Sequence, residues 1–347
     1  MAGDRTFSFE TSWGANYAKD ETVFRIWTPS AEKVELALGS HGTEDFLSMQ
    51  KNDGGWWEIR IVQAKPGSAY GFRFDGGEVL PDPAARAQVS DVHGRSQLVD
   101  PKEFQWQTAD WTGRPWHEAV VYELHTGTFT PEGTFDAIIG KLDHLKNVGI
   151  TAIELLQVAQ YEGRHGWGYD GVLLYCPHEA YGGAGGLKRF VDAAHQRGLM
   201  VFLDVVYNHF GPAGNYIHSY LPEFFHAEIR TPWGPAIAYD KEPVRRFMIE
   251  NALYWLSEYQ IDGLRLDAID SIKDAAADVS LVRELASRVR ESITDRYVHI
   301  TTEDERNITW HVDRGEENSI PLVSGEWNDD FHHTAHVIAT GEQEGYY

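Results

Sequence analysis

The chain has 347 residues, 42% of them hydrophobic, and a formal charge of −23. That length allows a large core plus an accessory domain, and the acidity excludes nucleic acid and anionic membrane surfaces, which are met by clustered Lys and Arg. No stretch approaches the roughly 20 apolar residues of a membrane span, no apolar signal region opens the chain, and a cytoplasmic protein is expected. One cysteine, Cys176, excludes an internal disulfide. Without Cys or His neighbours at ligand spacing it reads as a small buried residue, and no metal or cofactor is expected. The 12 tryptophans and 16 tyrosines fit a neutral sugar partner, whose C–H faces dock on aromatic planes, although core packing is the commoner use of such rings.

Residues 1–103 read as an all-β domain. Val23–Trp27, Val34–Leu38, Trp56–Ile61 and Tyr70–Phe74 alternate apolar and polar residues, and turn formers separate them at 28–30, 52–55, 65–67 and 75–77. Short strands at this spacing predict a β-sandwich. Trp56 and Trp57 suit a glucan-binding face, the sandwich core or a domain interface. The Pro- and Gly-rich stretch from Leu80 to Ser96 has no sustained period and reads as a linker.

From residue 104 to 347 the pattern changes to alternating strands and helices. Strands are expected at 119–124, 150–156, 199–204, 263–267, 298–303 and 320–326, with helices over 135–145, where Thr134 is the N-cap, and near 187–197, 243–259 and 278–293. This alternation predicts a parallel α/β barrel. A complete barrel has eight strands and typically about 250 residues, whereas six strands can be found here. The expected fold is therefore a TIM-type (β/α)8 barrel lacking its last two strands, preceded by an immunoglobulin-like β-sandwich.

The chemistry gathers at the strand ends. In Gly263-Leu264-Arg265-Leu266-Asp267, Arg265 and Asp267 fall on one face of an extended chain, where a guanidinium favours the ionised carboxylate. Such a pair serves either to prepare a nucleophile or only to tie down a strand end, and this segment alone leaves both readings open. Asp204 and Glu303 close two other apolar runs in the same way, and carboxylates at the carboxyl ends of barrel strands meet on one face.

Asp204-Val205-Val206-Tyr207-Asn208-His209, Gly263–Asp267 and the strand-end Glu303 resemble, in order and spacing, the first three conserved regions of the α-amylase superfamily of glycoside hydrolases. The resemblance implies a retaining mechanism, with Asp267 as nucleophile and Glu303 as general acid and base. It also implies substrate-binding or supporting roles for Arg265, His209, Tyr169, Asp204 and Asn208, with Tyr169 stacking on the sugar ring beside the scissile bond. Its substrates would be maltooligosaccharides or α-glucans. Asp330 and His332, in Trp327–His333, are further candidates for substrate binding. The family's fourth region, a His-Asp pair on the seventh strand that supplies a third carboxylate, has no counterpart, since Asp329 and Asp330 precede their histidines. Little turnover is thus expected from these 347 residues alone.

Leu124–Phe135, Gly166–Gly171, Trp327–His333, Asp82-Pro83-Ala84 and Val92-His93-Gly94 look like the trehalose-releasing members of that superfamily. Gln157, Ala238 and Asp270 depart from their pattern. A glycogen branching enzyme shares the domains and the three regions, and a non-catalytic glucan-binding protein is the alternative from another class.

Overall fold

The computed structural model describes residues 7–62, 64–274, 277–306, 312 and 322–344. The N-terminal strands form two antiparallel sheets. One runs in the order Gly14–Asn16, Glu21–Trp27, Trp56–Val62, Gln50–Lys51; the other Asp45–Ser48, Val34–Leu38, Ala69–Phe74, Val79–Leu80, with Ser96–Gln97 also on Ala69–Phe74. Alternation places Phe24 and Ile26 on one strand, and Val34, Leu36, Tyr70 and Phe72 on others, all buried in a common core.

The sandwich is sealed onto the rest of the chain by aromatic packing. Trp13 is fully buried, edge-to-face with Trp56 at 5.2 Å on one side and Phe247 at 5.2 Å on the other, and its indole N–H donates to the Pro243 carbonyl at 3.0 Å. Removing such a side chain costs about 3–5 kcal/mol. Trp56 and the buried Trp57 thus serve the interface and the core.

The stretch read as a linker is a packed strap. Residues 81–88 are buried, because Asp82 caps its own turn through the Ala84 N–H at 2.9 Å and accepts from the Tyr70 hydroxyl at 2.8 Å. Arg86 pairs with buried Glu258 at 2.8 Å, so the strap's charge is compensated across the domain contact.

The second part is a six-stranded, wholly parallel sheet in sequence order: Val121–Leu124, Ala152–Leu155, Met200–Val205, Gly263–Leu266, His299–Glu303 and Gly325–Trp327. The helices Gly183–His195, Glu242–Glu258 and Leu281–Ser292 lie between successive strands from Leu173 onward. Leu155, Leu203, Leu264 and Ile300 share one register row and are buried among the residues of the main core. The neighbouring row holds Glu123, Glu154, Phe202, Gly263 and His299. Gly263 is required there, since a Cβ would come within 2.7 Å of the Phe202 ring.

Three details differ from expectation. The helix over 135–145 is two, Phe135–Ile139 and Leu142–Asn147, broken at Gly140 although Thr134 does accept the Ala137 N–H. The sixth strand begins at Gly325, and positions 320 and 321 of the expected strand lie outside the described residues. A strand at Leu173–Pro177 and a hairpin, Phe225–Thr231 with Gly234–Ile237, were not foreseen. Among the described residues, no helix is long and apolar enough to cross a membrane.

Candidate active site

The parallel register decides what meets at the carboxyl ends of the strands. Asp204 sits opposite Arg265, and Arg265 opposite Thr301, so two residues further along, on the same face, come Asp267 and Glu303. Arg265 is the centre. Its Nη1 donates to Asp204 Oδ2 at 2.9 Å and to Asp267 Oδ1 at 2.8 Å, and its Nη2 lies 2.9 Å from Glu303 Oε2. Burial works against this guanidinium's charge, but Asp204, Glu303 and Asp267 outweigh it and hold it firmly protonated.

Each carboxyl has a different environment. Asp204 is buried, which pushes its pKa up to about 7 against the pull of Arg265 and of the Tyr169 hydroxyl, which donates to its Oδ2 at 2.9 Å. Asp267 is half-buried and is held from its other side by the Asn208 amide, which donates to its carbonyl at 2.9 Å and to its Oδ2 at 3.0 Å. Burial raises Glu303, Arg265 lowers it, and the neighbouring Asp267 carboxylate raises it again; the outcome is a pKa above the ordinary carboxyl value. A half-buried acid with a raised pKa beside a second carboxylate held by a cation is the combination that general acid catalysis next to a nucleophile requires.

Two loops complete the rim. The first carries Gly168 and Tyr169 back over the sheet: Gly168 has φ 97°, and a Cβ there would meet the Gln157 carbonyl at 2.3 Å. Gln157 is itself buried beneath this loop. His209 Nε2 lies 3.0 Å from the Tyr169 carbonyl, and its Nδ1 contacts Asn208 Oδ1. Both of those partners are acceptors and a neutral imidazole carries one N–H, so the ring donates to one of them and only touches the other. Burial lowers its pKa. The second loop is the tip of the hairpin, where Trp233 stacks on His209 at 4.7 Å and 15°.

Asp204, Asn208, His209, Arg265, Asp267, Glu303 and Tyr169 are therefore brought together. Asp330 and His332 lie in the first turn of the helix Asp329–Thr340 that follows the sixth strand, and both are exposed. It is the carboxylate of Asp329 that adds to the rise in Glu303's pKa. Ala238 is buried after the hairpin, its N–H donating to the Phe224 carbonyl at 2.9 Å, and Asp270 lies in the turn following Asp267.

Sequence reasoning missed Glu154, Trp233 and the main chain at Ala268. Glu154 is buried on the second barrel strand, with Oε1 lacking a hydrogen-bond partner; burial and then the Asp204 charge push its pKa up to about 8. Its signal was a lone carboxylate inside an apolar strand. Ala268 and Trp233 had none, because backbone direction and loop placement leave no mark on composition.

Comparison with known proteins bears on the fold and the family. The model of the alpha amylase catalytic domain matches residues 97–223, and that of carbohydrate-binding module 48, the isoamylase N-terminal domain, matches 12–91. Malto-oligosyltrehalose trehalohydrolase of Rhizobium sp. (strain M-11) is 42% identical over 334 residues, 93% of this chain and 55% of that protein. The 1,4-alpha-glucan branching enzyme of a Shewanella species is 32% identical over 75% of this chain and 39% of its own length. A crystal structure from Salmonella typhimurium, described provisionally as an alpha amylase, superposes with a TM-score of 0.94 at 52% identity, covering 98% of this chain and 57% of that one. The chain thus spans about half the length of the curated relatives it matches. Both domain models, the relatives and the superposition are in accord: residues 97–223 match an alpha amylase catalytic domain, placed behind a carbohydrate-binding module 48 at residues 12–91.

Proposed function

We propose that this chain forms part of a retaining glycoside hydrolase that releases trehalose from the end of maltooligosyltrehalose by cutting the adjacent α-1,4-glucosidic bond. The observation that carries the reading is the single guanidinium of Arg265 ion-paired with Asp204, Asp267 and Glu303 at the ends of three consecutive parallel strands. Asp267 attacks the anomeric carbon while Glu303 gives its proton to the leaving glycosidic oxygen. Glu303, now a base, takes a proton from the water that breaks the glycosyl-enzyme. Asp204 and Asn208 hold Arg265 and Asp267 in place, and Tyr169, His209 and the exposed pair Asp330 and His332 are assigned to the sugar.

The choice of trehalose as product rests on the names of the relatives. The domain boundary is placed at 103/104, with the first domain as a glucan-binding-type module. The buried, unpaired Cys176 suits a reducing, cytoplasmic setting. Product analysis tests the reading: the protein carrying this chain should liberate free trehalose from maltooligosyltrehalose. New branches in amylose, without trehalose, would replace it by glucan branching. Binding of maltooligosaccharide without any bond cleavage would leave only a binding protein.

A further inference from the structure

The helix Asp329–Thr340 opens with a second cluster of functional groups, distinct from the carboxylates around Arg265. Asp329, His332 and His333 occupy positions i, i+3 and i+4, which share one helical face. One potential ligand atom from each lies within 4.8 Å of the others, and Asp329 Oδ1 is 3.8 Å from His332 Nδ1. The two imidazole rings are 5.3 Å apart and inclined at 54°. Asp329 and His333 are half-buried and His332 is exposed, which leaves a side open to water.

We propose that Asp329, His332 and His333 bind a divalent transition-metal ion of the zinc class. Two imidazole nitrogens and one carboxylate oxygen are the donor set that zinc, copper and nickel prefer, whereas magnesium and calcium take oxygen ligands. Zinc needs donors about 2.0–2.2 Å from the metal, so the site closes by small side-chain rotations. Water fills the open position. A helix N-terminus is electropositive and by itself repels a cation; here Asp329 and Asp330 in the first turn supply two negative charges against it. Because His332 is also assigned to the sugar, metal and glucan should exclude one another. That consequence rests on the proposed function, while metal uptake does not.

The test is titration of the metal-stripped protein with Zn2+, followed by isothermal calorimetry and a zinc indicator dye. One site is expected, and Cu2+ loaded in its place should give an electron paramagnetic resonance spectrum with two equivalent-type nitrogen couplings. Loss of an outer partner of a metal ligand already weakens binding about 10–100-fold, so His332→Ala, His333→Ala and Asp329→Asn should each weaken zinc by at least about a hundredfold. The chain has 16 histidines, so the variants decide where bound metal sits. Zinc affinity unchanged in all three variants, no uptake in the wild type, or displacement of zinc by equimolar Ca2+ would each overturn the proposal. None of these readouts involves hydrolysis, so failure here leaves the roles of Asp267 and Glu303 untouched.

Discussion

The backbone N–H of Ala268 donates to Oε2 of Glu303 across 3.0 Å, and Ala268 is one of three non-glycine residues among those described with positive φ, at 40°. The strand that ends in Asp267 turns left-handed at the next residue, and that turn points a main-chain donor at the neighbouring strand's acid. Oε2 of Glu303 therefore accepts from Ala268 and is ion-paired with Arg265. A proton carried by Glu303 resides on Oε1, the oxygen left for a substrate. A left-handed alanine costs on the order of 1–3 kcal/mol, an expense found mostly at functional sites.

Asp267→Asn and Glu303→Gln should each lower kcat by at least about 10³-fold while maltooligosaccharide still binds, since each removes one partner of the double displacement. Single-turnover kinetics on the protein carrying this chain, with a binding titration beside it, check this. Retention of more than a few per cent of activity by either variant would contradict the assignment.

The pH dependence follows from Glu303's raised pKa. The acid must be protonated to act, so kcat/KM should stay high below that pKa and fall as pH rises through it. The alkaline limb should therefore lie above the ordinary carboxyl range. Its loss in Glu303→Gln rescued by a substrate with a good leaving group would identify the group; an unchanged limb would point to another acid.

Stacking alone makes Tyr169→Phe mild and Tyr169→Ala severe. The structure adds a hydrogen bond from the phenol to buried Asp204, and such bonds to charged groups contribute about 1.5–3 kcal/mol. Tyr169→Phe should accordingly lower turnover by about 10-fold or more and also lower Tm by a few degrees. Activity equal to wild type would leave stacking as the whole account.

Glu154 gives a stability prediction. Its folded pKa of about 8 lies above the ordinary 4.5, so the folded state holds a proton that the unfolded chain releases. Its contribution is fully present below pH 4.5 and is lost as pH rises through about 8. Glu154→Gln should flatten the fall in Tm over that window and melt higher than wild type at pH 9. A parallel pair of Tm curves would show that Glu154 does not titrate there.

Gly168→Ala tests the loop. The new methyl would be strained by φ 97° and would meet the Gln157 carbonyl at 2.3 Å, so the loop must shift and take Tyr169 with it. Activity should fall at least as far as in Tyr169→Phe, with Asp267 and Glu303 unmoved. Wild-type kinetics would mean that the loop adapts without displacing the ring.

Periodicity alone determined much of this molecule. Two-residue alternation marked the sandwich strands, and apolar runs ending in Asp204, Asp267 and Glu303 marked the barrel strands, because burial of one or both faces must be written in the order of side chains. The same logic placed Arg265 beside Asp267, two residues apart on one face. Only the tertiary structure decided that Asp204 and Glu303 join the same guanidinium, since parallel register is set between strands far apart in sequence. It also turned the supposed linker at 81–88 into a buried strap through Arg86 and Glu258, set Glu154 beneath Asp204, and stacked Trp233 on His209. The helix Asp329–Thr340 shows both levels at once: residues three apart share a helical face, which sets Asp329 3.8 Å from His332, but only the packing of that helix after the sixth strand brings the Asp329 charge into the field of Glu303.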